Sequence, residues 1–152
     1  MNKYSIETIK SSFSCHDIQE RWSAPDVRNI YWDDLDFLTW KHPDSGHYYA
    51  CLETVNGLHG VVFQMNPGNG RSAGHCDFCL ASNQEIGVKA AFIEVDSNPR
   101  YKVGLHVCGD LACSARVRGK QAGYFMYETI SVGRRIERLQ SRLQRFWQRV
   151  TA

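Results

Sequence analysis

Hydrophobic positions near the C-terminus recur at helical spacing. Ile136, Leu139, Leu143, Phe146 and Val150 are separated by alternating steps of three and four, which puts them on one face of an α-helix. Arg138, Arg142, Arg145 and Arg149 follow the same steps on a neighbouring stripe, so an apolar seam runs beside a basic face. Ser131 or Thr129 stands where an N-cap belongs. A seam of this length packs on its own domain more often than it zips a dimer, which needs three or more heptads, and a monomer is expected. Ile6, Ile9 and Phe13 show a shorter version of the pattern and predict an amphipathic helix over residues 4–13.

The middle of the chain reads as strands. Residues 37–40 form a predicted strand ended by the turn-rich run His42-Pro43-Asp44-Ser45-Gly46. Residues 48–55 and 58–65 flank Asn56-Gly57, the dipeptide that favours a hairpin turn with positive φ at both positions. Residues 88–95 and 101–107 predict a second hairpin about Asp96-Ser97-Asn98-Pro99. Residues 66–74, rich in Gly and Asn, form a loop between the hairpins, and residues 111–118 a short helix broken by Gly119-Lys120-Gln121-Ala122-Gly123.

At 152 residues the chain is long enough for one domain with its own core, and residues 1–152 are taken as a single domain. No apolar run approaches the roughly 20 residues that span a bilayer, so no membrane role is expected. Residues 1–5 lead into a polar amphipathic segment rather than a secretory leader, which points to the cytoplasm and a reducing environment. The net charge of +2 conceals an asymmetry: residues 1–70 carry 5 Lys/Arg against 9 Asp/Glu, whereas 134–152 carry 6 arginines against one glutamate. Such a chain can turn a basic face to an acidic protein or to RNA.

Chemistry concentrates in the cysteines. Cys76-x2-Cys79, 28 intervening residues and Cys108-x4-Cys113 match a zinc site in which two tight turns aim four thiolates at one point. The hairpin lies between the ligand pairs, and Cys113 would come from the first turn of the short helix. This is the layout of a treble clef over about residues 74–119. Ordinary buried cysteines or two disulfides are the alternative reading. Cys15 and Cys51, far from the cluster, read as buried free thiols, and His75 and His106 as residues flanking the ligands.

A zinc deaminase would need His-x-Glu and Pro-Cys-x-x-Cys. The chain has no His-x-Glu, and His75 precedes Cys76. Four thiolates also leave no open position for water or substrate, so a non-enzymatic binding protein is expected. The fold class is α+β: an antiparallel β-meander with a treble-clef zinc finger and a long C-terminal helix.

Gly104-Leu105-His106-Val107-Cys108-Gly109-Asp110-Leu111-Ala112-Cys113-Ser114, followed by Val117-Arg118-Gly119-Lys120, resembles the treble-clef C-terminal domain of elongation-factor-G-binding proteins of the FusB/FBP type. Cys76-Asp77-Phe78-Cys79 falls at that family's first zinc knuckle, and Leu38-Thr39-Trp40-Lys41-His42-Pro43 and the stretch 131–139 extend the likeness to about residues 35–150. Thr39 and His42 stand where a glycine and an aspartate are expected, and only 75 residues precede the first ligand, so the chain resembles a stand-alone version of that domain.

The resemblance implies Zn²⁺ on the four cysteines and docking on elongation factor G, with release of the factor from the ribosome. Arg100, Tyr101 and Lys102 on the second hairpin, with Tyr124 and Phe125 after the short helix, are the expected partner-binding residues, because each group pairs bulky rings with charge. The rival expectation is an RNA- or ribosome-binding adaptor that uses Arg138, Arg142, Arg145 and Arg149.

Overall fold

A computed structural model describes residues 1–13, 22–67, 74–82, 87–95, 98–122 and 129–151. Among these, helix α1 is Ile6–Ser11 and a 3-10 turn covers Trp32–Asp34. The strands are β1 Leu38–Lys41, β2 His47–Thr54, β3 Gly57–Met65, β4 Val88–Val95 and β5 Asn98–Cys108. Helices α2 (Cys113–Val117) and α3 (Val132–Val150) complete the described elements. The strands form one antiparallel sheet in the order β1-β2-β3-β4-β5. The hairpin between the ligand pairs therefore extends the first meander, joined to it where Gln64 pairs with Phe92 and Met65 with Ala91.

Both faces of the sheet are covered around β2, whose residues 49–52 are all buried. Strand alternation sends Ala50 and Leu52 into the main core, which includes α3, and Tyr49 and Cys51 into a second core with Ile9 and Phe13 of the N-terminal segment. Helix α3 buries Leu139, Leu143, Phe146, Trp147 and Val150, each worth roughly 1.5–3 kcal/mol when fully withdrawn from water. Phe146 stacks on Phe63 with centroids 6.1 Å apart, and the Trp147 indole N–H donates to the His59 carbonyl at 3.0 Å. Trp147 belongs to the apolar seam four residues after Leu143, whereas Ile136, counted in that seam, is only half-buried. Ser131 is the N-cap, its Oγ accepting from Arg134 N–H at 3.3 Å.

Several boundaries differ from the sequence expectation for local reasons. Ser5 caps α1 by accepting from Thr8 N–H, which starts the helix at Ile6 and leaves that side chain 37% exposed. The first hairpin turns at Val55-Asn56 rather than Asn56-Gly57, because Thr54 pairs with Gly57. Only Gly57 has positive φ there, at +114°, and the Thr54 hydroxyl donates to the Gly57 carbonyl at 3.0 Å. The residue that follows this two-residue loop takes positive φ, which glycine adopts without a Cβ clash. Strand β5 begins at Asn98, with an irregularity at Glu94/Val95 absorbing the extra length; Pro99 is tolerated because β5 is an edge strand. Leu111 has φ +54°, incompatible with α-helix, so α2 begins at Cys113 rather than Leu111.

A buried ionic network joins distant segments. Arg118 Nη1 donates to Asp36 Oδ2 at 2.6 Å, Gln140 Nε2 of α3 donates to Asp36 Oδ1 at 2.9 Å, and Asp36 N–H donates to Ser114 Oγ at 3.0 Å. Removing one partner leaves a buried charge uncompensated. Arg118→Met is expected to cost roughly 3 kcal/mol, read as a lowered denaturant midpoint at unchanged slope.

On the other sheet face Gly60 lies beneath the Phe13 ring, whose nearest atoms stand 2.6 Å from where a Cβ would sit. Gly60→Ala should cost about 1–3 kcal/mol through overpacking, because the ring is buried and its neighbours leave it little freedom. A thermal melt unchanged from wild type would contradict this.

Candidate metal centre

The four cysteines come from three places. Cys76 and Cys79 bracket a tight turn in which Cys76 N–H donates to the Ala81 carbonyl and Leu80 N–H to the Cys76 carbonyl. Cys108 is the last residue of β5 and Cys113 the first of α2. Leu80, which follows Cys79, has φ +61°, so a left-handed leucine stands beside each ligand pair. The backbone accepts about 1–2 kcal/mol of strain at each to aim the sulfurs inward.

The geometry fits a tetrahedral metal. Cys76 Sγ lies 3.7 Å from Cys113 Sγ and Cys79 Sγ 3.6 Å from Cys108 Sγ, and all four sulfurs lie within 4.8 Å of one another. Zinc–sulfur bonds of about 2.3 Å in a tetrahedron give an edge of about 3.8 Å. All four ligands are buried, and the five described cysteines, Cys51 included, are free thiols, which rules out disulfides between them. This is a closed, structural zinc set.

Electrostatics agree with the need for a cation. Burial pushes the Cys76 thiol up, but hydrogen bonds from the thiols of Cys108, Cys113 and Cys79 outweigh it and hold Cys76 well below the usual range. Cys113 is pushed well up, first by its hydrogen bond with Cys108. Zinc binds thiolates, so loading the four-sulfur set releases protons. Cys51, by contrast, is pushed up to about 12 by burial, against a hydrogen bond from Ser12, and is an inert buried thiol as expected. Cys15 lies outside the described residues.

Around the ligands, polar contacts lock the loops. Asp77 N–H donates to the His106 carbonyl at 2.7 Å, and its carboxylate accepts His106 N–H at 2.6 Å. The knuckle thus fills the edge of β5 at that point. Phe78 points into the core, with ring centroids 5.3 Å from Phe146, 6.0 Å from Phe37 and 6.2 Å from Phe63. Asp110 accepts from Ala112 N–H at 3.1 Å and receives a two-pronged bond from Arg116, at 2.6 and 2.8 Å. Asp77, Asp110 and Arg116 went unnoticed in the sequence. The side-chain bond between Asp110 and Arg116 spans 6 residues and that between Asp77 and His106 spans 29, neither a helical nor a strand spacing.

A family model described as the FBP C-terminal treble-clef zinc-finger matches residues 8–150. The chain belongs to this family. No curated protein matches the sequence. Among solved structures, that of the fusidic acid resistance protein FusC is similar at a TM-score of 0.63 and 14% identity, over 99% of this chain; at that identity the likeness is one of fold. This chain spans 60% of the FusC chain.

The other expected site residues of this FBP-type domain are dispersed. Arg100, Tyr101 and Lys102 are exposed on β5, but strand alternation points Tyr101 to the opposite side from the other two, and Lys102 pairs with Glu94 at 3.1 Å. Tyr124 and Phe125 lie outside the described residues. Of the basic stripe, Arg142 Nη1 donates to the Asp77 carbonyl at 2.8 Å and Arg145 Nε to the Ser141 carbonyl at 3.3 Å. Arg138 is half-buried and Arg149 exposed. His75 and His106 are exposed and stand outside the four-sulfur group, as flanking residues.

Structural zinc supplies apparent binding free energies of about 10–16 kcal/mol in small domains, much of it folding free energy. Strong chelation, or Cys113→Ser, should therefore abolish the near-UV signal of the 74–119 region and lower the melting temperature sharply. An unchanged melt after verified metal removal would exclude a structural metal.

Proposed function

We propose that this FBP-type domain docks on elongation factor G and favours the factor's release from the ribosome. Family membership over residues 8–150 carries the reading, and the fold shared with a fusidic acid resistance protein supports it. The reading assigns the metal a structural role, because a closed four-thiolate set has no coordination position for substrate. Release is promoted only if the domain binds the factor's release-competent shape better than its ribosome-locked shape. Such work belongs in the cytoplasm, and among the described residues no helix is long and apolar enough to cross a membrane.

The docking surface centres on the exposed edge of β5. Tyr101 is 63% exposed, far more than a core aromatic, and Arg100 and Lys102 flank it in sequence. Aromatic and arginine side chains are the usual energetic anchors of an interface. Tyr124 and Phe125 are proposed as further anchors on residue type alone. The RNA reading is weaker than the sequence suggests, because Arg138 is half-buried and Arg142 is tied to the Asp77 carbonyl, which leaves Arg145 and Arg149 as the exposed members of the stripe.

Calorimetric titration of the zinc-loaded protein into purified elongation factor G should show one-to-one binding that survives high salt. Tyr101→Ala should weaken it about fivefold or more, the effect of losing a hot-spot residue worth over about 1 kcal/mol. Unchanged affinity in a folded, zinc-loaded Tyr101→Ala protein would remove Tyr101 from the interface. Binding to ribosomal RNA alone, falling steeply with salt, would replace the reading with an RNA adaptor.

A further inference from the structure

Strand β5 lies at the margin of the sheet, and its outward backbone groups are only partly used. In an antiparallel ladder, alternate residues turn their N–H and C=O groups away from the neighbouring strand. His106 is one of them: its carbonyl accepts Asp77 N–H at 2.7 Å, and its N–H donates to the Asp77 carboxylate at 2.6 Å. The knuckle stands there in the place of a next strand. The same alternation turns the groups of Gly104 and Lys102 outward, since the register runs unbroken from His106 opposite Ala90, through Gly104 opposite Phe92, to Lys102 opposite Glu94. Both residues are exposed, and among the described residues no hydrogen bond fills their outward groups. Beyond Lys102 the ladder shifts, and Arg100 N–H turns to Asn98 Oδ1 at 3.2 Å. The open edge is thus confined to the stretch between Arg100 and His106.

Side chains beside this edge choose the kind of strand that fits it. Gly104 carries none, and a Cβ there would meet the Phe92 ring at 3.4 Å. Phe92 is 42% exposed, so its ring lines a shallow notch between Lys102 and His106. An apolar residue set opposite Gly104 would pack on that ring. Strands β4 and β5 carry three cations, Lys89, Arg100 and Lys102, against one acid, Glu94, which favours a strand with acids beside its apolar residue. Twofold pairing with a second copy of β5 would instead gather Arg100 and Lys102 of both chains along one margin, and opposed like charges destabilise a strand pair. Charged side chains and Pro99 also guard the edge against indiscriminate pairing.

We propose that the β5 edge at Lys102 and Gly104 is a strand-addition site, which takes an extended acidic segment of the protein partner as the next strand of the sheet, in line with the knuckle. The partner's identity rests on the elongation factor G reading. Main-chain bonds supply the affinity, and the notch and the cations select the segment. Bonds covered by the added strand are little screened by salt, in keeping with binding that survives high salt.

The test is amide hydrogen exchange on the full-length, zinc-loaded protein, alone and saturated with purified elongation factor G. Alone, the amides of Lys102 and Gly104 should exchange much faster than those of Val103 and Leu105, which the β4 ladder protects. In the complex they should slow at least about tenfold. Lys102→Pro removes an outward N–H without breaking the β4 ladder, as proline does on an edge strand. It should weaken factor binding about tenfold relative to Lys102→Thr, which keeps the N–H. Melting temperature and zinc content check that both variants fold; should Lys102→Pro not fold, the exchange measurement on the wild-type protein decides alone.

Factor binding with unchanged exchange at both amides would overturn strand addition and leave the elongation factor G reading standing. Equal affinities of folded Lys102→Pro and Lys102→Thr would overturn it too. If the factor does not bind, that reading falls, and a peptide of alternating glutamate and valine becomes the probe, set against one of alternating lysine and valine. Protection of the two amides by the acidic peptide alone would uphold the strand-addition site. Protection by neither peptide, or by both equally, would overturn it.

Discussion

Convergence of four sulfurs on one point is the constraint from which the rest of the architecture follows. It requires the knuckle at 76–79, the end of β5 and the start of α2 to meet, although they are separated by up to 37 residues. Phe78, held between the two ligands of the tight turn, is buried. There it contacts Phe37, Phe63 and Phe146, so the metal centre and the hydrophobic core share a wall. Loss of the metal would therefore loosen the seat of α3 as well as the finger itself.

The same constraint shapes the sheet. The hairpin between the ligand pairs cannot drift as an independent finger, since Cys108 ends β5 and Asp77 occupies the strand edge at His106. Pairing through Gln64, Met65 and Asn66 then ties β4 to β3 and makes one continuous sheet. Arg100, Tyr101 and Lys102 of β5 lie beyond the stretch where β4 pairs with β3, and their side chains are exposed.

Arginine serves two purposes that composition alone does not separate. Arg116 and Arg118 are nearly or largely buried, each in a two-pronged pair with an aspartate, and Arg142 reaches from α3 to the knuckle carbonyl. These charges hold loops and helices in register. The arginines that remain exposed, Arg145 and Arg149 among them, form a smaller basic surface than the periodic stripe implies. An excess of positive charge in the last helix is thus partly an internal structural device.

The sequence by itself determined the elements whose signals are local. The period of α3, the strands of both hairpins and the four zinc ligands were all legible, because side-chain periodicity and short ligand spacings are properties of neighbouring residues. Family resemblance was legible for the same reason, being carried by contiguous motifs around Cys76 and Cys108. Turn details were not: a shift of one residue at Val55-Asn56 and the left-handed Leu111 depend on pairing register and ligand direction, which no local propensity encodes. Only the tertiary structure decided that Asp36 meets Arg118 and Gln140, and that Asp77 meets Arg142. Such contacts join residues far apart in the chain, and they exist only after the sulfurs and the core have fixed where each backbone segment lies.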